Sequence, residues 1–206
     1  MKLYAGIDLH ANNSVLVIAD EADKVVYERR HPNELPVILA QLSPYRKRIQ
    51  AVAVESTYNW YWLVDGLMEA GYEVKLVNTA AVKVYEGLKY TGDEHDARHL
   101  AHLLRLGVLP TGYIHPKADR AVRDLLRKRS QLVRCRTTQI LSIQSMVSRN
   151  RGKGISTAEV RKLDDATISQ YCGGDINRIL AIKSNLSVLL CLDEQIAGVE
   201  ETVLKQ

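Results

Sequence analysis

The stretch that most limits what this chain can fold into is Lys2–His10, which reads Lys-Leu-Tyr-Ala-Gly-Ile-Asp-Leu-His. Leu3, Ala5, Ile7 and Leu9 alternate onto one face of an extended segment, and Tyr4 and Gly6 help fill the other, the pattern of a strand buried on both sides. The strand runs into an acid. A carboxylate near the C-terminal end of a buried strand stands where open α/β sheets place their ligands. It is costly there unless a metal ion, a basic side chain or backbone N–H groups meet it. Gly6 allows another backbone or a ligand to approach closely. The rest of the chain must therefore supply both a sheet around this strand and a partner for Asp8.

Ser14–Ala19 and Lys24–Arg29 read as two further strands joined by the polar turn Asp20–Asp23, giving an antiparallel meander. Asn33 is placed to cap a helix over 34–42, with Pro36 tolerated in its first turn. Ile49–Val54 is a strand too apolar for an exposed edge, and it ends on Glu55. Trp60, Leu63, Val64, Leu67 and Met68 follow at helical spacing, with Gly71 as the stop. Tyr72–Val77 is a fifth strand and Ala80–Leu88 a short helix, before a helix over Asp93–Leu106 closed by Gly107. The order β-β-β-α-β-α-β-α-α is that of a mixed sheet with helices packed on it. Pro110, Gly112 and Pro116 mark a domain boundary, dividing the chain into 1–115 and 116–206. Beyond it, 117–149 reads as one long helix with an approximate heptad stripe interrupted by Arg129 and Arg136. Short helices follow over 157–182, and then a second long helix over 185–205.

The net charge of +4 is unevenly spread. Residues 117–153 hold eleven basic side chains against Asp119 and Asp124, a net +9, so the remainder carries −5. A basic arm on a mildly acidic body points to a polyanion partner. Lys117, Arg120, Arg123, Arg127, Lys128, Arg134, Arg149, Arg151 and Lys153 are its candidate nucleic-acid-binding residues. Cys135, Cys172 and Cys191 are scattered and form no C-x-x-C pair, which fits a reducing cytoplasm and neither a disulfide framework nor a zinc site. No apolar run is long enough to span a bilayer, so no membrane partner is expected.

Asp8 and Glu55 both end apolar strands, and Asp93 and Asp96, spaced i, i+3, fall on nearly one face of a helix. Four acids brought together cannot all stay ionised without cations. Mg²⁺ or Mn²⁺ suits such an all-oxygen set and serves phosphodiester chemistry. His10 and His95 stand beside these acids, and Ser56 and Thr57, after Glu55, are placed to start a helix or to contact phosphate.

Gly6–His10, Glu55–Thr57 and Asp93–Leu104 together resemble the DEDD transposases, the one-ten family of bacterial insertion sequences that includes the pilin-gene DNA invertases. The resemblance implies an N-terminal RuvC-like domain of the ribonuclease H superfamily, with Asp8, Glu55, Asp93 and Asp96 as its catalytic, metal-binding set. It implies a coiled-coil segment in the long basic helix. It also implies donor and target DNA and a structured bridge RNA as partners in a bacterial cytoplasm, with a homo-dimer or tetramer as the assembly. Where the family often carries a Lys-Thr-like pair before the third acid, Thr91–Gly92 stands here. The family's C-terminal serine-bearing domain is expected to be missing from this chain, which would leave it incomplete for catalysis. The reading is thus the N-terminal part of an insertion-sequence transposase or site-specific recombinase. The alternatives are a RuvC-like junction nuclease complete in itself and a non-catalytic RNA-binding or dimerisation module. An actin-like ATPase, which can open with similar residues, should show a second Gly-rich phosphate loop, and none is present.

Overall fold

The computed structural model describes residues 1–82 and 93–205, and of 93 and 94 the backbone alone. The chain divides into two compact units, Met1–Ile114 and His115–Gln206.

In the first unit, β1 (Leu3–Leu9), β2 (Asn13–Asp20) and β3 (Val25–Pro32) form an antiparallel meander. The chain then passes through α1 (Leu35–Leu42) and a 3₁₀ turn (Ser43–Tyr45) to β4 (Ile49–Glu55), which pairs parallel with β1. After α2 (Tyr61–Glu69), β5 (Val74–Val77) pairs parallel with β4, giving the order β3-β2-β1-β4-β5. This is the expected mixed sheet, with β1 at its centre. Leu3, Ile7, Leu16, Ile18, Val52 and Val54 point to one face and pack on Ile38 and Leu42 of α1 and Leu63 and Leu67 of α2. After α3 (Thr79–Val82), α4 (Asp93–Leu106) covers the other face, where Ala97 meets Val15 and Val17, and Leu100 and Leu103 meet Ala53 and Val77.

The pleat sends Gly6 and Asp8 to the α4 face. A methyl group on Gly6 would overlap the Ala97 carbonyl oxygen and stand 2.8 Å from the Ala101 amide nitrogen. The close approach that Gly6 permits is therefore that of a helix backbone. Small residues at Ala97 and Ala101 keep the contact tight. At its far end α4 is tied to the β2–β3 turn. There Asp23 adopts φ +65, a conformation Asp tolerates, with Oδ2 2.8 Å from His102 Nδ1 and Oδ1 3.4 Å from Arg105 Nε.

Three local expectations are corrected. Asn33 does not cap α1. The capping position is Glu34, with no side-chain bond, and the Asn33 carboxamide instead donates to the His10 carbonyl. Pro at the start of α1 already removes one of the amides that a cap would satisfy. Ser56 and Thr57 do not start α2 as caps either: its N-cap is Trp60, without a side-chain bond. The short helix expected over 80–88 begins at Thr79, and its part beyond residue 82 lies outside the described residues.

The second unit is helical. α5 (Lys117–Arg151) ends on Gly152, whose φ of 68 is the left-handed stop glycine favours. α6 (Thr157–Val160) and α7 (Asp165–Cys172) follow, and α8 (Ile176–Leu204) packs back on α5. Ile140, Ile143 and Val147 share a core with Val160, Ile168, Ile182 and Leu189. α8 begins well before the expected residue 185, because Asp175, after Gly173 and Gly174, accepts from the Asn177 and Arg178 amides and caps it there. The two arginines that interrupt the α5 stripe are paired. Arg129 Nε donates to Glu200 Oε1 (2.7 Å), and Arg136 Nη1 to Asp193 Oδ1 (3.1 Å). Burial raises the Asp193 carboxyl, but its bonds to Arg161 and Arg136 outweigh that and hold it below the usual range. No helix among the described residues is long and apolar enough to cross a membrane.

Gly6→Ala is expected to destabilise the first unit by about 3 kcal/mol or more, at the top of the range for overpacked cores, because the obstruction is main chain. A lowered urea midpoint is the measurement that checks it.

Candidate active site at the ends of the parallel strands

The β1–β4 ladder has its last pair at Ile7 and Val54. Asp8 and Glu55 are the next residues on each strand, so parallel pairing delivers both acids to the same edge and the same face. Their carboxyls lie within reach of each other, close enough for Asp8 to raise the Glu55 carboxyl. Asp8 is buried and Glu55 half-buried. Burial, the bond to Asp8 and the charges of Asp8 and Asp96 together push the Glu55 carboxyl up to about 8. At neutral pH Glu55 therefore keeps its proton beside Asp8, the usual outcome where carboxyls lie close together. Asp8 Oδ2 is 3.1 Å from His10 Nε2, but the approach is not that of a hydrogen bond, and Oδ2 has no hydrogen-bond partner among the described residues.

Asp96 is exposed on α4, one residue before the Ala97 carbonyl that rests on Gly6. With Glu55 it lines a cavity of about 100 Å³, walled also by Val77, Thr79, Val82, His99 and Leu100. Of the four sequence-selected acids, Asp8 and Glu55 thus lie side by side, and Asp96 shares the cavity lining with Glu55 and acts on it through its charge. Asp93 opens α4, but its side chain, like Thr91–Gly92, lies outside the described residues. Among the described residues no three His, Cys, Asp or Glu side chains are grouped as a ready-made metal cage. A close carboxyl pair with one oxygen lacking a hydrogen bond nevertheless fits a hard divalent ion, which takes one or two carboxylates and fills its remaining positions with water and substrate oxygens. His95 is exposed on α4.

In the second unit, Lys117, Arg127, Lys128, Arg134, Arg149, Arg151 and Lys153 face solvent and Arg123 is half-exposed. Arg120 differs: it is buried, and its Nε donates to the His115 carbonyl at 2.8 Å, which removes it from the solvent-facing basic surface. Arg127 stands 3.9 Å from Asp124, and the Arg151 guanidinium lies 4.0 Å from the centre of the Tyr171 ring.

Asn33, Asn59 and His99 were not singled out as site residues from the sequence. His99 carried a signal, three residues after Asp96 on the same helix. The asparagines carried none, because both reach distant backbone.

The first unit is a five-stranded mixed sheet with paired acids at the ends of its parallel strands. The family model of the IS110-type DEDD transposases, described as a transposase, matches residues 5–150, and the chain belongs to that family. It is accordingly a DNA-cleaving and recombining enzyme, as the resemblance carried by Gly6–His10, Glu55–Thr57 and Asp93–Leu104 implied. No curated protein matches the chain. Among solved structures, T. thermophilus RuvC in complex with a Holliday junction substrate is similar, at 20% identity over 54% of this chain and 100% of that one, with a TM-score of 0.41.

The Glu55 shift fixes the sign of a pH effect. The folded protein holds this proton more tightly than the unfolded chain, whose carboxyl titrates near 4.5. The resulting stabilisation is complete below about pH 4.5 and is lost as pH rises through about 8. Without divalent ions, the melting temperature of wild type is expected to fall across that interval. Glu55→Gln should flatten the fall and melt a few °C higher above pH 8, since about 1 kcal/mol moves the midpoint by about 2–4 °C in a chain of this size. Thermal scans at several pH values check this.

Proposed function

We propose that residues 1–115 act as the metal-dependent phosphodiester-processing domain of an insertion-sequence transposase, with Asp8, Glu55, Asp93 and Asp96 as its catalytic set. Residues 116–206 then form its nucleic-acid-binding and self-associating segment. The observation that carries this reading is the Asp8–Glu55 contact at the ends of two parallel strands. Asp8 and Glu55 would hold Mg²⁺ or Mn²⁺, with Asp96 and Asp93 nearby on α4. Such an ion, when bound, polarises the phosphodiester and activates the attacking oxygen. Glu55 gives up its proton on loading, so binding tightens as pH rises towards 8. The apolar walls at Val77, Val82 and Leu100 limit water around the acids.

The basic surface of α5 supports binding to the backbones of donor and target DNA and of a structured bridge RNA. The apolar side chains that α5 and α8 leave exposed, Leu126, Leu141, Val188 and Leu190, support self-association as a dimer or tetramer. A bacterial cytoplasm is consistent with three free cysteines.

Calorimetric titration with Mg²⁺ or Mn²⁺ tests the first unit. Asp8→Asn should weaken binding by at least about tenfold, since even indirect support of a metal ligand is worth that much. Unchanged affinity would contradict the assignment. The second unit is tested by nucleic-acid affinity against salt. Reversing charge at Arg127, Lys128 and Arg134 should weaken binding to all sequences alike. It should also reduce the log–log salt slope by about 0.7–0.9 for each phosphate that is no longer neutralised. A slope that stays the same would remove these residues from the interface.

A further inference from the structure

The carbonyl of His10 accepts two side-chain hydrogen bonds from two different loops. Asn33 Nδ2, after β3, donates to it at 2.9 Å, and Asn59 Nδ2, after β4, at 3.0 Å. Both lone pairs of that oxygen are thereby used. The Asn59 amide is oriented from its other end as well, because Thr57 Oγ1 donates to Asn59 Oδ1 at 2.8 Å. A backbone carbonyl only accepts and a donated hydroxyl proton needs an oxygen, so the two contacts agree on which end of the carboxamide is which. The His10 amide donates to the Asn13 carbonyl at 2.9 Å and the Asn33 amide to the Asn12 carbonyl at 3.3 Å, which closes the turn between β1 and β2 around the same point.

This network sits where the sheet stops holding the two acids together. The β1–β4 ladder ends at Ile7 and Val54, one residue short of Asp8 and Glu55. Beyond that rung no ladder hydrogen bond ties the two acid-bearing ends together. Asn59 lies four residues beyond Glu55, His10 two beyond Asp8, and the bond between them ties the two acid-bearing segments past the last rung of the ladder. Asn33 braces the same carbonyl from the β3 side. The donors are neutral, so they restrain the acids without neutralising them and leave the negative field for a cation.

We propose that Asn59 and Asn33 are positioning residues for the acid pair: by clamping the His10 carbonyl, they set the separation of Asp8 and Glu55, and so the affinity and geometry with which the pair takes a divalent cation. The inference rests on the reading of the pair as a metal site. Neither asparagine touches the metal or substrate; each acts through the main chain at His10.

The test is Mn²⁺ binding to the full chain by calorimetry, together with the electron paramagnetic resonance spectrum of the bound ion, both recorded well below the melting temperature. Asn59→Ala should lose roughly tenfold or more in affinity, as outer support of metal ligands typically contributes, and should broaden the spectrum. Asn33→Ala should do the same to a smaller degree. Thr57→Val, which releases the far end of the Asn59 amide, should fall between wild type and Asn59→Ala, and Thr57→Ser should restore wild-type values. If Asn59→Ala does not fold, the Asn33 and Thr57 variants carry the same comparison. Variants that melt lower but bind Mn²⁺ with wild-type affinity and spectrum would make the clamp purely structural and overturn the proposal. A wild-type chain that binds no Mn²⁺ would overturn the metal reading, and the clamp with it.

Discussion

The contact between the backbone of α4 and Gly6 is what the rest of the first unit depends on. A strand buried on both faces needs a cover on each, and helices normally stand off a sheet by the thickness of side chains. Here Gly6 has no side chain and Ala97 and Ala101 have very small ones, so α4 settles directly on the central strand. That contact lies two residues before Asp8 along β1 and one residue after Asp96 along α4. Closeness at Gly6 thus becomes closeness of acids that are far apart in the chain. The tie from Asp23 to His102 and Arg105 secures the other end of the helix and limits its pivot about that point.

The edge that results is energetically unfavourable taken alone. Two carboxyls in contact, one of them buried, oppose folding unless something compensates. Two features compensate: Glu55, its carboxyl pushed up to about 8, stays neutral at neutral pH, and the hydrogen bonds from the Asn33 and Asn59 carboxamides fix the adjoining turn. A proton held in this way is easily exchanged for a cation of higher charge. Strain of this kind at a strand end is a familiar mark of a functional site. In the helical unit charge is handled differently. Arg129 and Arg136, which would interrupt an apolar stripe, are matched by Glu200 and Asp193, so the long helices pack without an unpaired charge at those positions.

Much of the fold was legible because it is written in short-range pattern. The alternation in β1, the apolar run of β4 and the helical period of α4 each reflect one strand or helix burying one surface, and each lies close to where it was expected. The family, too, was readable from three short motifs. What escaped depends on distance. Asn33 has the residue type and place of a helix cap, yet its partner is a carbonyl 23 residues earlier. Asn59 reaches back 49 residues to the same atom. Arg120 reads as one more basic residue of a charged helix, and only the folded chain shows it buried against the His115 carbonyl. The early start of α8 was different, since Asp175 after a glycine pair is a local signal that outweighs the break before it. That β1 and β4 run parallel, bringing Asp8 and Glu55 to one edge, follows from the crossover through α1 and not from either strand's own sequence.

The central claim is that the Asp8–Glu55 pair exists to take a divalent cation. It is tested most directly by anomalous scattering from crystals of this protein grown with Mn²⁺. The fold described here predicts a peak about 2–2.5 Å from carboxylate oxygens of both Asp8 and Glu55, the range of hard-cation–oxygen bonds. Well-ordered Asp8 and Glu55 side chains with no anomalous peak between them at pH 8 or above would contradict it.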